Sequence, residues 1–461
     1  MFEARFSAVR ALLVGAAIAL PAAAFAEVPK NPTFTKDIAP IFQEKCEACH
    51  RPDSIAPMSL KTFAEVRPWV RSIKTRVEAR SMPPWQIDRS VGVQKFTNDR
   101  SLTDEQYATV MKWIEAGAPQ GDPKDMPAPK TWPEDQGWNF AHMFGQKEPD
   151  LIVKSDPFTM PALSQDAWDK RITDAGITEP RWVRAIEIRP NTVKGRRITH
   201  HAIAYLEQDE PGAQQSFLPV PFMEWAVGKQ GELQRPGTGK LLLPGAKFHW
   251  DIHYSQAGEE ITSQVEMGIY FYPKGQEPKY RTQLSLVPAA LGTMDIRPNT
   301  LSMSEGFYTL RDNARIESFQ PHMHLRGKAM QVTALFPNGQ QQVISYISNF
   351  DFNWMTTYQY ADDVAPLLPK GTILHIIGYM NNSPSNKNVP DPRNWQGSGN
   401  RSIANMFIDL GNRVTLTEEQ FQNEMKARIA ANPGKDIILG CPLCGIVAQQ
   451  QKAAARPTQN Q

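Results

Sequence analysis

Val265-Glu266-Met267-Gly268-Ile269-Tyr270-Phe271-Tyr272 is a short apolar run closed by Pro273 and Gly275. A run of that length with turn residues at its end reads as a strand rather than a helix. The same texture repeats outward from it. Trp182 to Ile188, His201 to Leu206, Ala329 to Phe336 and Thr372 to Gly378 are rich in β-branched residues and set off by Pro, Gly or Asn. From about residue 150 onward the chain is therefore expected to be all-β. Its length suits two sandwiches better than one, with a boundary near Pro298.

Toward the N-terminus the pattern changes. Thr35 can cap a helix that carries Ile38, Ile41 and Phe42 on one face. Thr62 and Glu65 have capping-box spacing, as do Thr103 and Gln106. Val70, Ile73 and Val77 recur at helical spacing after an interruption at Pro68. The helix from Thr103 carries Val110 and Ile114 and stops at Gly117-Ala118-Pro119. Pro119, Pro123, Pro127, Pro129 and Pro133 then mark an extended linker. Arg5 and Arg10, the apolar run Ala11 to Leu20, and Ala24-Phe25-Ala26 read as a cleaved secretory leader. The expected order is a signal peptide (1–26), a helical domain (27–120), a Pro-rich linker (121–148), two β-sandwich domains (149–297 and 298–415) and a tail (416–461). The fold class is multidomain, α followed by all-β.

The formal net charge of +2 leaves no basic face for nucleic acid. No segment after the leader is apolar enough to span a bilayer, so a periplasmic or secreted protein is expected. With four cysteines, disulfides cannot staple the middle of the chain, and hydrophobic cores must hold it.

Cys46-Glu47-Ala48-Cys49-His50 has the spacing for covalent haem. Two thiols add to the porphyrin vinyls and the histidine after them ligates iron. Met82, held in an extended loop by Pro83 and Pro84, is the expected sixth ligand, with Met58 as the alternative. Residues 33–120 are similar to a class I cytochrome c.

Most of the remaining histidines also fall in groups: His200-His201, then His249 and His253, then His322-Met323-His324. His322 and His324 are two apart, so a strand would aim both imidazoles from one face. His249 and His253 also share a face. A regular strand would send His200 and His201 to opposite faces. Both can serve one ion only where the backbone is irregular or at a strand end.

Taken in order, these groups resemble the copper type II, ascorbate-dependent monooxygenases, among them peptidylglycine α-hydroxylating monooxygenase and dopamine β-monooxygenase. The motifs are Thr199-His200-His201-Ala202-Ile203, His253-Tyr254, Pro321-His322-Met323-His324-Leu325 and Asn405-Met406-Phe407. Asn381-Asn382-Ser383 followed by Pro390-Asp391-Pro392 resembles a loop of bacterial relatives with an N-terminal cytochrome c. The resemblance implies two coppers, one in each jelly-roll-like sandwich. One is held by His200, His201 and His253. The other, catalytic, is held by His322, His324 and Met406. Three imidazoles suit electron storage, and two imidazoles with a thioether favour Cu(I). The resemblance also implies hydroxylation of an aliphatic C–H bond of a small organic molecule with dioxygen. Electrons would come through one covalent haem c from an ascorbate-like reductant or a periplasmic redox protein. A non-catalytic haem–copper electron carrier or copper-binding protein is the alternative.

Three positions depart from the family pattern. Asn405 replaces an acidic residue, Gln320 replaces the arginine that holds a peptide carboxylate, and Leu410 replaces a substrate-binding tyrosine. A glycine-extended peptide is therefore not the expected substrate. His142 reads as a linker residue and His375 as a buried strand residue. Cys441 and Cys444 read as a local disulfide in an oxidising compartment, with a redox or Cu(I) role as the other possibility.

Overall fold

The computed structural model describes residues 28–431 except 53, 55, 133–136, 211–219, 227, 228, 230, 285, 286, 289–293 and 400. The leader, most of the tail, and Cys441 and Cys444 lie outside the described residues. No helix among the described residues is long and apolar enough to cross a membrane.

Strand far outweighs helix, and the expected helical N-terminal cytochrome c domain is not what forms. The N-terminal part carries short pieces only: a π-helical turn Phe34–Ile38, then Ala39–Lys45, Phe63–Val66, Val70–Glu78 and Asp104–Glu115. Local chemistry explains why they are short. The capping boxes at Thr62/Glu65 and Thr103/Gln106 do start helices. Pro68 converts the first of these into a 3₁₀ turn, Arg67–Trp69, before Val70 restarts it. These pieces bury Phe34, Ile38, Phe42, Val66, Val77, Val110 and Trp113 together in a small core.

After Glu78 the chain leaves that core and joins the β structure. Ile87 bridges Ile347 and Phe96 bridges Tyr360. The Val93 amide donates to the Ile344 carbonyl at 2.8 Å. Gly92 has φ +74°, and a Cβ there would lie 2.3 Å from the Ile344 carbonyl oxygen, so only glycine fits this approach. Trp85, Ile87 and Val93 belong to the same core as Phe319, Met330, Ile344, Tyr358 and Ile376. Each buried side chain of this kind contributes about 1.5–3 kcal/mol, so the segment is a structural part of the β region.

The expectation of two separate sandwiches is also corrected. Among the described residues a nine-stranded sheet crosses the expected boundary at 297/298. Its path runs Leu151–Lys154, Val265–Phe271, Arg181–Pro190, Thr238–Leu242, Tyr280–Leu284, Asn412–Leu416, Asn313–Ile316 and Leu367–Leu368, with Glu232–Leu233 beside Arg181–Pro190. The crossing point is the antiparallel pair of Tyr280–Leu284 with Asn412–Leu416. A five-stranded sheet centred on Lys247–Tyr254 and Thr199–Glu207 packs its Ala202, Ala204, Phe248 and Ile252 against Val183, Ile186, Met267 and Ile269 of the large sheet. A four-stranded sheet, in the order Thr300–Thr309, Ile373–Asn382, Gly327–Leu335, Gln341–Ile347, covers the other half. Burial alternates residue by residue along Ile373–Asn382, the period of a sheet with one face inward.

Candidate functional site

Two β pairings assemble an imidazole cluster. Thr199–Glu207 and Lys247–Tyr254 run antiparallel, with His201 directly opposite His253. The next pair is Tyr254 with Thr199, so His200 is an extra residue in its strand. This bulge supplies the irregular backbone that two adjacent histidines need to serve one centre. Nδ1 of His200 lies 3.2 Å from Nδ1 of His201. One ligand atom from each of His200, His201 and His253 falls within 4.8 Å of the others.

His322 comes from Pro321–Met323, which pairs antiparallel with Phe407–Asp409, and His324 follows directly. The two rings lie 5.4 Å apart by centroid. His322 in turn lies 5.9 Å from His201. The two expected copper sites are therefore neighbours in one continuous cluster of five imidazoles. The ladder ends at the pair of Met323 with Phe407, and Met406 directly precedes Phe407 in the chain. Met406 is half-buried and packs against Ile408 and Leu410.

Burial, reinforced by neighbouring imidazoles, holds His200 at about 4 and His201 and His322 well below the ordinary range. Burial also brings His324 down to about 4. These rings are neutral at neutral pH, the form in which imidazole offers a lone pair to a metal. Nδ1 of His253, His322 and His324 are buried without hydrogen-bond partners. Buried orphan nitrogens cost about 1–3 kcal/mol each, and orphans on three rings of one cluster fit bound cations. A donor set of imidazoles suits a transition metal such as copper rather than a hard ion.

Residues that sequence reasoning missed hold these rings in place. Asp166 Oδ2 lies 3.0 Å from Nε2 of His253 and also accepts from Ser402 Oγ at 3.3 Å. The hydrogen bond to His253 keeps the Asp166 carboxyl below its ordinary range. Trp168, opposite His253 in the ladder, stacks on its ring at 4.4 Å and 6°. Phe352 stacks on His200 at 4.6 Å and 17°. No spacing rule ties these residues to histidines so far away in the chain.

His249 is left out of the cluster. Its Nε2 meets Glu207 at 2.5 Å, toward the other end of the strand. His142 lies on the short helix Asn139–Met143. His375 is on a strand as expected but on its outward face, stacked on Phe307 and bonded to Glu305 at 2.9 Å.

A second feature is a cavity of about 900 Å³ between the N-terminal pieces and the β region. Cys46, Cys49, His50, Met58 and Met82 all line it. Nδ1 of His50 lies 3.2 Å from the Met58 carbonyl, which directs Nε2 away from that carbonyl. Both expected thioether candidates, Met82 and Met58, line the cavity, and the contact of Met58 with His50 is through its backbone carbonyl. Burial, and then Cys49, pushes the Cys46 thiol up to about 12. The volume, the paired thiols and the oriented imidazole fit a covalent haem.

The three positions that depart from the family pattern are all buried. Gln320 donates through Nε2 to Glu224 and accepts from Thr357 Oγ1 at 2.6 Å and Lys229 Nζ at 3.2 Å. Lys229 also pairs with Glu232 at 2.9 Å, and Lys240 pairs with Glu232 at 2.9 Å. Despite burial, the two lysines hold Glu232 at about 2. Gln320 is thus one member of a buried ionic network joining the two halves. Leu410 packs with Ile408 and Met406, and Asn405 donates to the Gly397 carbonyl at 3.0 Å.

The sequence matches no protein-family model, and no curated protein matches it.

Proposed function

We propose that this chain is a haem- and copper-dependent monooxygenase of the exported, periplasmic kind. It hydroxylates an aliphatic C–H bond of a small organic substrate, and electrons enter through a haem attached at Cys46 and Cys49. One observation carries the reading: five imidazoles from three separate segments of the chain lie side by side, four of them fully or nearly buried, with Nδ1 orphaned on three. The reading accords with the motif resemblance to copper type II monooxygenases.

His200, His201 and His253 would hold one copper, and His322, His324 and Met406 the other. Bound there, copper supplies one-electron storage and dioxygen activation. Asp166 fixes the tautomer of His253, so that Nδ1 faces the cluster. Trp168 and Phe352 hold the ring planes of His253 and His200 by stacking. His50, oriented by the Met58 carbonyl, and Met82 would hold the iron of a haem in the cavity. The net reaction takes substrate, dioxygen, two electrons and two protons to alcohol and water.

Gln320 is 1% exposed and spoken for by Glu224, Thr357 and Lys229. A substrate carboxylate has no arginine to meet at that position, which favours a neutral substrate. The same burial of Gln320 and Leu410 favours a second reading, a haem–copper electron carrier without oxygenation. Dioxygen uptake matched by a hydroxylated product, assayed over neutral aliphatic and aromatic compounds, separates the two. A chain loaded with both groups that passes electrons but forms no product with any compound would be the carrier.

A further inference from the structure

The haem cavity and the imidazole cluster share one wall. Asp351, Asn353 and Trp354 line the cavity. Phe352, between them in sequence, lies on the other side: its ring stacks on His200 at 4.6 Å and meets His324 edge-on at 6.4 Å. One residue of chain spans only ~3.3–3.6 Å, so the two compartments are separated by the thickness of this loop.

The loop is built to hold its shape. The Asp351 carboxylate accepts from the Asn353 amide and from Asn353 Nδ2, both at 3.0 Å. The Trp354 amide closes a turn onto the Asp351 carbonyl at 2.9 Å. Phe350, just before it, is anchored by its amide to the Lys328 carbonyl at 2.8 Å. Phe352 itself packs against the core beneath the four-stranded sheet. Its ring touches one histidine from each of the two expected copper groups.

We infer, resting on the haem and copper reading above, that the loop 351–354 is the route by which electrons pass from the haem cavity to the imidazole cluster, with Phe352 as the bridging residue. Each passage moves one electron. Iron(II) is oxidised to iron(III), copper(II) is reduced to copper(I), and no covalent bond forms or breaks. Phe352 is a positioning residue: it fills the gap and holds His200 against the loop. The competing wall residue is Trp225, which lines the cavity and pairs with Ala202, the neighbour of His201.

The test uses the full chain carrying covalent haem and loaded with Cu(II). The haem is reduced by a light pulse and its reoxidation is followed by absorbance, with no substrate present. Reoxidation should require copper. Phe352→Ala should keep the haem spectrum and the copper content yet reoxidise about tenfold more slowly, because losing the ring opens a void in close-packed material between the centres. Trp225→Phe should stay near the parent rate. Where Phe352→Ala loses either group, Phe352→Leu replaces it, with slowing in the same direction expected. An unchanged rate in the loaded Phe352 variant, or a larger slowing in Trp225→Phe, overturns the route. A parent chain that takes up no haem or no copper instead overturns the proposed function itself.

Discussion

His201 and His253 face each other across an antiparallel ladder with ring centroids 4.9 Å apart, and the register slips by one residue at His200 beside them. The slip turns a histidine pair that would point to opposite faces into two donors for one centre. It also sets the third ring, His253, where Asp166 can orient it.

That orientation is measurable. Asp166→Asn should weaken copper binding about 10–100-fold, the usual effect of losing a carboxylate that orients a ligating imidazole. A competition titration against a chelator of known affinity reads this out. Unchanged affinity would mean that Asp166 does not set the tautomer of His253.

The haem ligands make a paired prediction. Met82→Ala should abolish the weak red-end band of a methionine–ferric haem and open the sixth position to carbon monoxide. Met58→Ala should leave both unchanged, because Met58 meets His50 through its backbone carbonyl, which alanine keeps. The reverse pattern would reassign the ligand.

The embedding of 85–96 in the β region predicts where an N-terminal substitution is felt. Ile87→Ala should cost about 2–5 kcal/mol. Protection of the Ile344 and Ile347 amides from hydrogen exchange should fall with it, since Ile87 bridges Ile347. Loss confined to the N-terminal helices would contradict the packing.

Asp409 predicts a pH dependence. Burial pushes its carboxyl up to about 6, although it accepts from the Gln320 and Gly411 amides at 2.8 and 2.9 Å. The folded state thus binds this proton more tightly than the unfolded chain does. Stability from this group is greatest below the ordinary value of ~3.9, falls as pH rises to about 6, and is level above that. The loss is of order 1–3 kcal/mol. Asp409→Asn keeps an acceptor for both amides and carries no charge, so it should abolish this slope and be as stable as the parent or more so at pH 7. Urea midpoints between pH 4 and 7 test this. An unaltered slope in the variant would assign the dependence elsewhere.

How much was legible in the sequence depended on how local the cause was. The capping boxes at Thr62 and Thr103 are set by residues three apart, and both form. The shared face of His322 and His324 follows from a two-residue period, and their rings do meet. His249 and His253 share a face too. They are four residues apart on a strand, however, or ~13 Å, and only His253 reaches the cluster. Sequence pattern also divided the chain at Pro298 and at 120. Pairing between distant segments overrode both divisions: Tyr280–Leu284 with Asn412–Leu416, and Ile87 with Ile347. The network of Glu224, Lys229, Glu232 and Gln320 left no trace in the sequence, because its members are polar residues that become buried only when the two halves meet.

The central claim is that the five imidazoles hold copper. Metal content, with X-ray absorption of the reduced chain, tests it most directly. The chain should retain about two coppers with imidazole nitrogen in the first sphere, as expected of such donors. His201→Ala should lower the content, and Met406→Leu should keep much of the copper while removing a sulfur contribution. A chain that retains no copper, or one whose copper content is untouched by His201→Ala and His322→Ala together, would contradict the account.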